Sequence, residues 1–263
     1  MTDITTAEEI HAILLDIARE LQRVCREGNV PCYMLGGTML GAVRHGGFIP
    51  WDDDMDFGVP REHFDHLRTL LEQRLPAHYR VVTLQTSSVM LSDILKIEDT
   101  RTEMDELFKE NAKERIGINI DIFPLDGVDE RHLGSYRKAL QLKGVHYYRF
   151  LSTKQRHGSR KLAAILAKLL LAPLRRTTIP AMIRRMLERH IGGEYLTNVY
   201  GAWGMREAVP RSVFGSGKLY TFADTEFYGP EDAHAYLSRL YGDYMQLPPE
   251  DKRHLHITGC RRK

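Results

Sequence analysis

The sequence predicts an α/β (α+β) protein in which a mixed sheet carries the chemistry and a helical lobe clads it. Three observations predict this. Strand-like and helix-like patterns interleave up to about residue 127. A nearly continuous helical pattern follows, from about Arg131 to His190. The remainder returns to short strand and helix patterns. The expected organisation is a catalytic core over 1–130, a basic helical lobe over 131–215 and a C-terminal β/α segment over 216–263. The last segment is expected to pack back on the core in one continuous globular unit.

The first element is a helix. Thr6 and Glu9 have capping-box spacing, and Ile10, Ile13, Leu14, Ile17, Leu21 and Val24 recur at helical intervals until Gly28-Asn29. A short strand, Cys32 to Leu35, runs into Gly36-Gly37. Thr38 to Arg44 reads as a brief helix and His45 to Trp51 as a loop. Asp54 to Val59 reads as a strand. Pro60 opens a helix that carries Phe64, Leu67, Leu70 and Leu71. Tyr79 to Leu84 and Val89 to Ile97 are strand-like. Ile118 to Phe123 alternates, with isoleucines on one face and Asn119, Asp121 and Phe123 on the other. Pro124 to Asp129 reads as a turn. The helical stretch that follows is expected to break near Gly158, Pro173 and Pro180. Tyr220 to Phe227 is strand-like, Pro230 to Tyr241 helical, and the end a flexible basic tail.

Composition narrows the function. The 263 residues are 43% hydrophobic and 27% charged, so a substantial core can form. A net charge of +2 argues against a dedicated nucleic-acid binder. The three cysteines, Cys25, Cys32 and Cys260, have no metal-site spacing and suit a reducing compartment. Thr2 to Glu9 does not read as a signal peptide, and no apolar run reaches the roughly 18 residues of a membrane span. The expectation is a cytoplasmic protein.

The sharpest signal is Trp51-Asp52-Asp53-Asp54-Met55-Asp56-Phe57. On a strand, Asp54 and Asp56 share a face, Asp52 joins them if the strand reaches that far, and Asp53 points away. Carboxylates this close raise one another's pKa, a conflict that a hard divalent cation relieves. Mg²⁺ or Mn²⁺, held by one or two carboxylates plus substrate phosphates, is the expected cofactor. Two such ions can stabilise both the attacking and the leaving oxygen of a phosphoryl transfer. Asp121, on the polar face of an isoleucine-rich strand, is the natural third carboxylate. Asp126 lies on an expected turn and needs no catalytic explanation. The glycine pair Gly36-Gly37 and Thr38 join a strand to a helix start, where unpaired N–H groups favour anions. Arg44 and His45 close the same short helix within reach of phosphate. Neither a P-loop nor a Rossmann fingerprint fits this spacing.

Strand, Gly-Gly-Thr, short helix, Asp-x-Asp strand and a later Asp-bearing strand together resemble the nucleotidyltransferase superfold of DNA polymerase beta. More closely, the run LGGTMLGAVRHGGFIPWDDDMDF over residues 35–57 looks like the signature of the LicD family, as do IDIFPLD over 120–126 and LYGDYMQLPP over 240–249. The resemblance covers about residues 10–257, the stretch 130–215 in helical character only. It implies a phosphocholine-type transferase that takes its head group from CDP-choline and delivers it to sugars of lipopolysaccharide or teichoic acid. Fukutin-type enzymes, which transfer ribitol phosphate, share the motif. Carried onto this chain, the resemblance implies Asp54 and Asp56 as catalytic metal ligands with Asp52 assisting, and Asp121 as the third catalytic carboxylate, a metal ligand or the base. It implies Gly36, Gly37 and Thr38 as the diphosphate cradle, and Lys96 and Arg101, in KIEDTRT over 96–102, as donor contacts. The chain departs from the family pattern after Phe222, where Ala223 replaces a common acid; Asp224 or Glu226 is the available substitute.

Between Arg149 and Arg189 stand eleven Lys/Arg against one acid, Glu188, so this segment carries +10 and the rest of the chain −8. Leu162, Ile165, Leu166, Leu169 and Leu170 recur at helical spacing among them. Such a helix either packs its apolar stripe inside or lies on an anionic membrane surface, giving peripheral contact through 149–190. His254, His256 and Cys260 are too few for a zinc site; His256 is within reach of a phosphate if the tail folds back. The aromatics Trp51, Tyr147, Tyr148, Tyr200 and Trp203 are available to cage a quaternary ammonium. Competing readings are a true nucleotidyltransferase that releases pyrophosphate and a non-catalytic membrane- or nucleic-acid-binding protein.

Overall fold

The computed structural model describes residues 2–4, 6–106, 114–150, 158–249, 251, 253 and 257–263. Its strands and helices, in chain order, are β1 (Thr2–Ile4), α1 (Ala7–Glu27), β2 (Tyr33–Met34), α2 (Gly36–His45), β3 (Asp56–Pro60), α3 (Arg61–Arg74), β4 (Tyr79–Val82), β5 (Leu95–Asp99), β6 (Thr102–Glu106) and β7 (Asn119–Val128). There follow α4 (Leu133–Phe150), α5 (Gly158–Leu171), α6 (Thr178–Leu187), β8 (Tyr195–Thr197), β9 (Ala208–Pro210), α7 (Arg211–Phe214), β10 (Lys218–Phe222), β11 (Thr225–Gly229), α8 (Ala233–Tyr241) and β12 (Ile257–Arg262).

The central sheet runs β2-β3-β7-β5-β4, with β8 on the far half of β7 and β9 beside β8. It is mixed: β3 and β7 are parallel and their neighbours antiparallel. Helix α1 is capped by Thr6, whose side chain accepts from the Glu9 amide at 3.2 Å, and its buried stripe of Ile10, Leu14, Ile17, Leu21 and Val24 is the one its periodicity predicts. Together α1 and α3 cover one side of the sheet. Helix α2 packs against β3 and β10, and α8 backs it.

Several elements differ from expectation for identifiable reasons. Strand β3 begins at Asp56, so Asp52 and Asp54 lie in the irregular approach to it. Residues 89–94 are irregular, with bends at 89 and 92–93, and the strand there is the shorter β5. Pro124 to Val128 is not a turn but the continuation of β7. The Asp121 amide bonds Met55 O on the β3 side, so by alternation the position of Pro124 faces the opposite neighbour. There β5 pairing has ended at Ile122 and β8 pairing starts at Asp126. A residue without an N–H therefore costs nothing at that spot. Pro180 sits in the first turn of α6, where proline is tolerated. The segment 220–227 is a hairpin, β10–β11, whose turn places Ala223 at φ 56°. The basic tail is strand β12, which lies between β1 and β6. The expectations on His254, His256 and residues 151–157 lie outside the described residues. Among the described residues no helix is long and apolar enough to cross a membrane.

Candidate active site

The parallel register sets Asp56 opposite Asp121, and the antiparallel register on the other side of β7 sets Lys96 opposite Asp121. Three adjacent strands thus present an Asp–Asp–Lys row, with neighbouring backbones about 4.8 Å apart. The Lys96 ammonium donates to Asp121 Oδ1 at 2.5 Å and to Asn119 Oδ1 at 2.8 Å. One cation thereby offsets part of the crowded negative charge.

The glycine turn brings α2 against this row. The Thr38 hydroxyl accepts the Asp56 amide at 2.8 Å, and the Leu35 amide bonds Asp56 O at 2.9 Å. Thr38 thus ties the helix start to the first residue of β3, and its hydroxyl keeps a proton to donate. Gly36 has φ +49°, and its N–H bonds the Tyr236 hydroxyl at 3.0 Å. A Cβ at Gly36 would stand 3.6 Å from Asp56 Oδ2 and 3.7 Å from the Tyr241 hydroxyl. A Cβ at Gly37 would stand 2.6 Å from Asp52 Oδ2. The glycines therefore let the loop carboxylates and Asp56 close on one spot above the helix start.

Asp52 is locked by its backbone. Its amide donates to Ile49 O at 2.9 Å, and its carbonyl lies 2.6 Å from His11 Nε2, on an imidazole stacked on Phe48. Burial, then the charges of Asp54 and Asp53, raise the Asp52 pKa from 3.8 to about 8. Burial, then Asp54, Asp121 and Asp52, push Asp56 well above its ordinary range, with Lys96 pulling the other way. Asp54 is exposed and Asp53 buried. The donor set is all oxygen and mutually repelling, which fits a hard divalent cation such as Mg²⁺ or Mn²⁺. Among the described residues, the trio of potential ligand atoms within 4.8 Å of one another lies elsewhere, at Asp129, His132 and His190.

Other residues expected to touch the donor have different partners. Arg44 donates to the carbonyls of Tyr244 (2.9 Å) and Gln246 (3.4 Å), holding the turn after α8, and burial lowers its pKa. Exposed His45 stands edge-on to Trp51. Arg101 is not brought to the carboxylates. Its guanidinium clamps Asp99 at 2.6 Å, and Asp99, three residues beyond Lys96, projects from the opposite face of β5. Asp224, next to Ala223 in the hairpin turn, pairs with Arg19 of α1 at 2.6 Å.

Sequence reasoning missed three further groups: Asp126 in a buried ion pair farther along β7, and Tyr241 and Glu207 around Trp203. Asp126 is fully buried and bonded by Arg61 through Nε at 2.7 Å and a second nitrogen at 3.3 Å; burial raises its pKa and Arg61 pulls it back. Tyr241 packs edge-on to Trp203 at 4.8 Å, its pKa raised by burial and then by Asp56. Glu207, pushed up to about 7 by burial, accepts the Trp203 amide at 3.2 Å. Arg61 and Asp126 are each a charge among apolar residues, Arg61 at the start of α3 and Asp126 within β7, but their pairing spans 65 residues.

Residues 29–150 match the profile of the LicD/FKTN/FKRP nucleotidyltransferase domain. The chain is 29% identical over 262 residues to the lipopolysaccharide cholinephosphotransferase LicD of Haemophilus influenzae, covering 95% of this chain and 96% of that protein. A shorter stretch of 46 residues is 44% identical to the ribitol 5-phosphate transferase FKRP of human and of mouse, 18% of this chain and 9% of theirs. Residues 29–150, which hold the glycine turn and the carboxylate row, are a LicD/FKTN/FKRP nucleotidyltransferase domain.

Proposed function

We propose that the protein transfers phosphocholine, or a similar phosphorylated head group, from a CDP-activated donor to a sugar hydroxyl of a cell-surface glycan or glycolipid precursor. The observation that carries this reading is the Asp56–Asp121–Lys96 row facing Gly36 and Gly37. The near full-length similarity to a cholinephosphotransferase supports the head group. In this reading Asp54, Asp56 and Asp121 hold Mg²⁺ or Mn²⁺, with Asp52 above Gly37 assisting. The metal supplies Lewis-acid neutralisation of phosphate charge. The acceptor oxygen attacks the phosphorus that bears choline, the bond to the CMP oxygen breaks, CMP leaves, and the hydroxyl proton passes to solvent water.

The chain's own groups divide the work. The start of α2 lies against the carboxylates, where backbone donors and the helix dipole favour donor phosphates. Lys96 holds Asp121 by hydrogen bond, which suits a ligand better than a free proton acceptor. Trp203 and Tyr241 offer an aromatic corner beside Asp56 for a quaternary ammonium. A screen of CDP-activated donors with Mg²⁺ or Mn²⁺ tests the reading. CMP release that depends on a glycan acceptor supports it, and pyrophosphate release from a nucleoside triphosphate would replace it with nucleotidyl transfer.

A further inference from the structure

Helix α5 carries its apolar residues outside. Leu162, Ile165, Leu166, Leu169, Leu170 and the following Leu174 are 58%, 38%, 48%, 67%, 75% and 36% exposed. At 3.6 residues per turn the five on the helix fall within an arc of about 140°. The helix is attached by its other side, where it meets α4 and where Leu171 packs on the core. The alternative of a stripe packed within the fold is therefore not the one this structure takes. An uncovered aliphatic arc of this kind marks a surface that meets something apolar.

We propose that this arc seats α5 in the plane of an anionic lipid bilayer. At 1.5 Å per residue the helix is only about 21 Å long, too short for a hydrocarbon core of about 30 Å, so it would lie in the interface. Charge selects the occupant. From Gly158 to Ile191 the one acid is Glu188, and Arg184 holds it at 2.6 Å. Arg175, Arg185 and Arg189 are exposed, Lys168 lies at the flank of the arc, and the sequence places Arg160 and Lys161 at the head of the same helix. A second copy docked about a two-fold axis would bring these cations against themselves. The arc has no aromatic, methionine or arginine anchor, the residues in which protein-binding surfaces are enriched. An anionic headgroup layer over acyl chains matches both halves of the pattern.

The placement also serves the site. Tyr147 of α4 bonds Ser92 at 2.6 Å, and its pKa is raised by burial first and by the charge of Asp121 as well. Helix α4 thus stands between the docked face and the carboxylates, a spacing of about one helix layer, 8–10 Å. A lipid-linked acceptor at headgroup level would meet the site edge-on. That benefit rests on the transfer reading; the docking does not.

Flotation of the full-length protein with phosphatidylethanolamine/phosphatidylglycerol vesicles, against phosphatidylcholine vesicles, tests the proposal without turnover. The wild type should float with the anionic vesicles. Leu169→Glu/Leu170→Glu should cut partitioning by about 100-fold or more with an unchanged melting temperature, since both side chains are exposed. Arg175→Glu/Arg185→Glu should weaken binding to anionic vesicles more than to neutral ones. Three results would overturn it: a wild type that stays in the lipid-free fraction, a double-glutamate variant that floats equally, or a wild-type dimer that this variant turns into a monomer. A head-group screen that fails while flotation succeeds removes the transfer reading alone.

Discussion

Asp52→Asn separates charge from shape in the carboxylate cluster. The structure raises the pKa of Asp52 from 3.8 to about 8, through burial first and then Asp54 and Asp53. A carboxyl whose pKa is raised by folding binds its proton more tightly in the folded state. Its ionisation therefore drains stability as pH climbs from about 4 to about 8, with the full loss present above 8. The gap corresponds to a ceiling of roughly 5–6 kcal/mol at 1.36 kcal/mol per pH unit. Solvent reaching the rim of the cluster and a proton shared with Asp54 reduce the expected figure to about 1–3 kcal/mol. The asparagine has the same outline, its Oδ1 can still accept the Asp53 amide, and it does not titrate. Urea unfolding in EDTA at pH 4.5 and pH 8.5 measures the effect. The variant should match the wild type at the lower pH and exceed it at the higher. Mg²⁺ should stabilise the wild type at the higher pH and the variant less. If the stability difference between the two proteins does not grow with pH, the crowding argument fails.

Three further outcomes follow from the same geometry. Gly37→Ala would set a Cβ 2.6 Å from Asp52 Oδ2, so calorimetry should show metal-dependent CDP-donor affinity reduced by about 10-fold or more. Asp121→Asn should cut turnover by about 10²-fold or more and also weaken metal-dependent donor binding; normal metal and donor binding with slow turnover would point to a proton-accepting role instead. Asp126→Ala removes the fully buried partner of Arg61, which is 2% exposed at its side chain, and leaves it only Asp93 at 3.4 Å; chemical denaturation should register a loss of about 3 kcal/mol. Metal affinity measured on the Asp126→Ala protein that remains folded should match the wild type.

The candidate site residues were legible because their spacing is local. Gly36-Gly37-Thr38, the aspartates from 52 to 56 and the alternation around Asp121 each fit within one element and its approach, where period and turn chemistry act over a few residues. The helix α1 was legible for the same reason, having a capping residue and one unbroken stripe. The extent of β7 was not. Proline and Asp-Gly are local turn signals, and they are overridden only because a gap between two partner strands receives Pro124 and because Arg61, far away in sequence, neutralises Asp126. Arg44 and Arg101 were expected to reach donor phosphate, yet other partners hold both side chains: for Arg44 two carbonyls after α8, distant in sequence, and for Arg101 the nearby carboxylate of Asp99.

By itself the sequence determined the inventory of this protein: a carboxylate cluster, a glycine turn, an amphipathic basic helix and the order in which they occur. Only the tertiary structure decided the neighbours. Strand register, which no single segment encodes, put Lys96 and Asp56 on either side of Asp121. Helix rotation decided that the leucines of α5 face outward, because a stripe at helical spacing reads the same whether it meets a core or a solvent boundary. Both are long-range facts, fixed by which surfaces the rest of the chain leaves available for burial.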